Sequence, residues 1–230
     1  MNEPLAPKPE PAGRRPRANQ DQALANRISQ YRSALAAVQA NAELGALLAP
    51  RGYDAAAIAA GLGLCDAAQA SFNARQEAQA GQLQASAAAQ SALKAARAGF
   101  DDFRKIARAI FKADPAAQSA LGATGRLPDD REKFQTAAAA AYAVALGHDA
   151  YLTALGKRGF GQAALAAEQA KLAALTQANA ANETAQAAAR RATIERDAAA
   201  KALAGWWAEF RVVARIALKD RPDLAGVLGL

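Results

Sequence analysis

The chain is short of most residue types that carry chemistry. Its 230 residues include one cysteine, one histidine and one methionine, and aromatics make up 6%. A lone cysteine, Cys65, excludes an internal disulfide framework. It has no CxxC pattern or cation beside it and reads as a packed thiol. A lone histidine, His148, leaves nothing to build the paired Glu-x-x-His motif of a helical metal site. Walker A, GxSxG and HExxH patterns do not occur. Gly61-Leu62-Gly63 and Gly159-Phe160-Gly161 follow no strand signal, so neither reads as a phosphate loop. These absences argue against an enzyme, and no metal or other cofactor is expected. The sequence reads as having no 18-residue apolar run and hence no transmembrane segment, and the N-terminus lacks the apolar core of a signal peptide. The cytoplasm is the expected location.

What is abundant is alanine, at 71 of 230 residues. Alanine has the highest intrinsic helix propensity, and Gln, Glu, Lys, Arg and Leu, which fill much of the remainder, follow closely. An all-α fold is expected. Alanine buries little apolar area, so stability must come from long helices that approach closely. The formal charge of +7 favours anionic partners without requiring one.

Residues 1–19 are rich in proline and contain Arg14, Arg15 and Arg17, the composition of a disordered basic arm. An amphipathic helix, capped by Asn19 or Asp21, should carry Ile28, Tyr31, Leu35, Val38, Leu44 and Leu47 up to Pro50. From Asp54 to Lys112 no proline occurs, and one continuous helix is predicted. Asp129 or Asp130 caps a third helix reaching about Leu155. A fourth runs from about Gln162 to Lys219.

Phe103-Arg104-Lys105-Ile106-Ala107-Arg108-Ala109-Ile110-Phe111-Lys112 returns as Phe210-Arg211-Val212-Val213-Ala214-Arg215-Ile216-Ala217-Leu218-Lys219, 107 residues later. The same offset maps Pro115 onto Pro222, Leu121-Gly122 onto Leu228-Gly229, and Arg51-Gly52-Tyr53 onto Arg158-Gly159-Phe160. The reading is an internal duplication, short helix then long helix, with repeats at 20–123 and 124–230. Packed as one domain, they would form a pseudo-two-fold antiparallel helical bundle. Gln79 and Gln186 occupy matching places in its alanine seam, either fixing register or facing water.

Arg104, Arg108 and Lys112, matched by Arg211, Arg215 and Lys219, form twin basic stripes at i, i+4, i+8. They complement the negative ends of the helix dipoles and are candidate anion sites. Trp206 and Trp207 point about 100° apart on a helix, so one belongs to a core and the other to a boundary or interface. The segment Trp207 to Gly229, read as W-x-x-F-x-x-V-A-R-x-A-x-K-x-x-P-x-L-x-x-x-L-G, resembles the ending of alanine-rich helical bacterial proteins of unassigned function, which implies no chemistry. The expected function is therefore structural or interactive, with a protein partner or a second copy on the alanine seam. Binding of nucleic acid or an anionic surface through the arm and stripes is the alternative, and a bundle holding a small apolar ligand is a third.

Overall fold

A computed structural model describes the backbone of residues 17–230 and side chains from Asp21 onward. Residues 1–16, most of the expected arm with Arg14 and Arg15, lie outside the described residues. All regular structure among the described residues is helical, and no strand occurs there. The order is α1 (Arg17–Ala40), α2 (Ala42–Leu48), a 3-10 turn (Ala49–Arg51), α3 (Ala55–Ile110), α4 (Pro115–Ala120), α5 (Arg131–Gly147), α6 (Asp149–Gly156), α7 (Gln162–Ala217) and α8 (Pro222–Val227).

The two long helices are unbroken, 56 residues each, and start and stop at positions 107 apart. So do α4 and α8. Gly52 and Gly159, at φ 90° and 93°, make the same left-handed turn before each long helix.

The shorter helices depart from the sequence reading. Each expected single helix is two, interrupted at Asn41 and at His148, again 107 apart and both extended. The Asn41 side chain accepts from the amides of Glu43 and Leu44, which ends α1 and starts α2 in one residue. His148 makes the same bend without a side-chain cap. The first helix also begins at Arg17, so Asp21 lies inside it and does not cap it.

One stretch of α3 is apolar enough, by length and composition, to cross a membrane, and 28% of that window is buried. A bundle helix rich in alanine meets the same test.

The chain divides into two compact units that cut across the sequence repeats. Unit 1 contains residues up to Gln76 and from Arg191 onward, and unit 2 contains Glu77–Arg190. Each unit thus uses part of α3 and part of α7.

In unit 1 the core comprises Ile28, Leu35, Leu44, Leu48, Ile58, Cys65, Leu203, Phe210 and Leu218. Tyr53 meets Trp206 and Phe210 at ring distances of 5.6 and 5.1 Å, and Tyr31 stacks on Trp207 at 4.1 Å. Farther along, Asp21 of α1 receives Arg75 of α3 at 2.5 Å and Arg196 of α7 at 3.0 Å. Residues 53 and 75 thus lie near 210 and 196, and the helix segments run antiparallel. Burial pushes the Cys65 thiol above its ordinary pKa.

In unit 2 the core is an aromatic cluster. Phe100 and Phe103 of α3 pack edge-on against Tyr142 of α5 at 5.5 and 5.1 Å, with Phe134 and Phe160 completing it. Gly99 lies against Glu168 and Phe103 against Phe160, so here too the α3 and α7 segments are antiparallel. Gln79 is exposed and Gln186 half-buried.

Candidate interaction site

The twin basic stripes have the same sequence and different surroundings. In unit 2, Arg104 is 3% exposed. Its Nε donates to the Gly122 carbonyl at 2.7 Å, and its Nη2 to the Thr124 and Gly125 carbonyls at 2.8 and 2.7 Å. Arg108 donates to the carbonyls of Ala123 and Gly125. Arg97, two turns earlier on α3, holds Pro128 and Asp129 through their carbonyls at 3.0 and 2.6 Å and covers the Phe134 ring. The three arginines fasten the non-helical linker between α4 and α5 to the helix. Guanidinium suits this task, because its fork reaches several carbonyl oxygens at once. Burial and the neighbouring Arg108 cation draw the Arg104 pKa below its ordinary value.

Gly122 makes this geometry accessible. Its φ of 59° turns the chain from α4 back across the arginines, and Gly229 takes the same turn at φ 66° after α8.

In unit 1 the matching arginines, Arg211 and Arg215, are exposed. Between them on α7 lie Val212 and Ile216, 57% and 51% exposed, and Val227 of α8 is 54% exposed. The matching residues of the first repeat are Lys105, Ala109 and Ala120. Three branched apolar side chains therefore stand in water where the other repeat has a cation or a methyl group. Val212 and Ile216 are one turn apart and share a helix face. The signal is in the sequence, since these positions break the match between the repeats.

Lys112 and Lys219 are exposed but lie past the ends of α3 and α7, so neither continues its stripe as a helical row. Asp101 and Asp102 pair with Lys105 and not with the arginines. Lys105 holds the Asp101 carboxyl below its ordinary pKa.

Trp207 is 6% exposed, within the unit 1 core. Trp206 is half-buried above Gly61, stacked on Phe210 at 5.4 Å. His148 is exposed beside Tyr151. Among the described residues, no group of three His, Cys, Asp or Glu side chains is placed to hold a metal.

In unit 2, the Glu168 carboxylate lies over Gly99, with Oε1 accepting from Lys171 at 2.7 Å. Glu168 Oε2 and the Tyr142 hydroxyl are buried without a hydrogen-bond partner. Burial, with the Glu168 charge nearby, raises the Tyr142 pKa well above its ordinary value.

No family model, curated protein or solved structure matches this chain.

Proposed function

We propose that the chain is an internally duplicated, pseudo-two-fold helical unit and acts as a non-enzymatic interaction protein. Its second repeat docks an acidic and apolar segment of a partner protein on the α7 face bearing Arg211, Val212, Arg215 and Ile216. One observation carries this reading. The same arginine pair in the first repeat, Arg104 and Arg108, grips the backbone carbonyls of the turn at residues 122–125. A partner segment that presents its backbone carbonyls would receive the same grip in trans, its aliphatic side chains covering Val212 and Ile216.

Charge favours such a partner over a second copy. Two such faces packed on each other would bring Arg211 and Arg215 against like charges, in a chain of net charge +7. Nucleic acid or an anionic surface is the rival reading. The aliphatic side chains between the cations fit a peptide better than a phosphate backbone, and two of the four arginines of the stripes already hold carbonyls.

The test is photo-crosslinking in the native host with a benzophenone amino acid at position 212 or, as internal control, at position 105. A discrete adduct at 212 that is absent at 105 supports docking. Equal labelling at both positions, or none at 212, contradicts it. Retention of RNA, DNA or anionic vesicles at low salt, lost steeply as salt rises, would favour the rival.

A further inference from the structure

The Gly45 face of α2 borders a cavity of about 460 Å³ in unit 1, within the size range of small-molecule sites. Its floor is Val38, Tyr53 and Ile58, all buried, and Gln39, Asn41 and Asp54 stand at its rim. A Cβ added at Gly45 would meet nothing within 4 Å. The second repeat shows what such a space would ordinarily receive. Gly45 matches Leu152 and Gln39 matches Leu146, and both leucines pack on the unit 2 core. One repeat has aliphatic side chains packed on its core at these two positions, whereas the other has a glycine and an exposed glutamine beside an open space above an apolar floor.

The rim has a definite polarity. Among the described residues, Asp54 is the one charged residue lining the cavity. Its Oδ1 accepts from the Ala57 amide at 2.9 Å, which fixes the carboxylate at the start of α3. Gln39 and Asn41 add carboxamide oxygens, although Asn41 Oδ1 is already engaged by the amides of Glu43 and Leu44.

We propose that this cavity binds a small primary amine with a branched aliphatic body of about the size of a leucine side chain. The body occupies the space that Leu152 fills in the other unit, and the ammonium group lies beside Asp54. Binding here is independent of the docking face on α7, and either can fail without the other.

The experiment is a methyl NMR titration of the full chain with isoamylamine hydrochloride, using the Val38 and Ile58 methyl groups as reporters. The expected result is a saturable shift of both. Gly45→Leu should abolish it. Asp54→Asn, which keeps a capping oxygen, should weaken it at least fivefold. The carboxylate 4-methylpentanoate, with the same isobutyl body, should give no saturable shift. No saturation with isoamylamine, an unchanged response in Asp54→Asn or a folded Gly45→Leu, or an equal response to the carboxylate would overturn the proposal. The Asp54→Asn and carboxylate arms decide it even if Gly45→Leu does not fold.

Discussion

Gly61 lies directly beneath the indole of Trp206, and one methyl group at that position would overlap the ring. In unit 2, Gly99 lies beneath the carboxylate of Glu168 with the same lack of room. Positions 61 and 168 match across the repeat, and so do 99 and 206. Each unit therefore places a glycine under a large side chain at the same α3–α7 contact, with the roles of the two positions exchanged. Neither glycine has a left-handed φ. Both are there for close approach and not for a turn.

The two glycines should respond differently to alanine. The Trp206 ring is wedged between Tyr53 and Phe210 and has little freedom to move. Gly61→Ala should cost about 1–3 kcal/mol through overpacking, partly offset by better helix propensity. Glu168 ends in a flexible carboxylate that swings aside at small cost. Gly99→Ala should be neutral or should stabilise by up to about 1 kcal/mol. Urea unfolding of the two variants checks the order, and Gly61→Ala with Trp206→Ala should recover part of the loss.

Asp21 joins three helices through Arg75 and Arg196, whose side chains are 10% and 16% exposed. Removing the carboxylate leaves two little-hydrated cations facing each other. Asp21→Ala should destabilise by about 2–3 kcal/mol, below the full cost of breaking a buried pair because the site is partly wet. Amide hydrogen exchange should show the loss first at the beginning of α1.

Tyr142 gives the stability a pH dependence at the alkaline end. Its folded pKa is raised, chiefly by burial and then by Glu168, above the ordinary tyrosine value of about 10. The unfolded chain then loses this proton first. The stabilising contribution is fully present below about pH 10 and declines as pH rises above that value. Tyr142→Phe should flatten the alkaline decline seen in thermal melts from pH 8 to 11. An unchanged decline would assign it to other groups.

Gly45→Leu should raise stability by about 1 kcal/mol, because leucine is the better helix former and the cavity is open. Thermal unfolding tests this without any ligand. A fall in stability would mean that the corner has no room for an aliphatic side chain.

Much of the helical layout was legible. The proline-free run after Asp54 and its echo after Gly161 gave α3 and α7 to within about two residues at each end. The breaks at Asn41 and His148 were not found, because each lies in a stretch whose apolar spacing continues across it. The signal was local: Asn41 stands two residues before Glu43 and three before Leu44, the amides that it caps. The helical backbone of residues 17–20 was not legible because proline and arginine composition dominates that segment. The different fates of the basic stripes were not legible at all. Arg104 and Arg211 have nearly the same sequence neighbours, and what separates them is whether a distant backbone segment crosses over the guanidinium group.

That difference is open to direct measurement by comparing Arg104→Ala/Arg108→Ala with Arg211→Ala/Arg215→Ala in equilibrium urea unfolding. The first pair removes five hydrogen bonds to linker carbonyls and should cost about 3 kcal/mol or more. The second pair removes exposed cations and should change stability by no more than about 0.5 kcal/mol. Equal losses in the two double variants would contradict the account, because the stripes would then share one structural role and Arg211 and Arg215 would not be free to hold a partner.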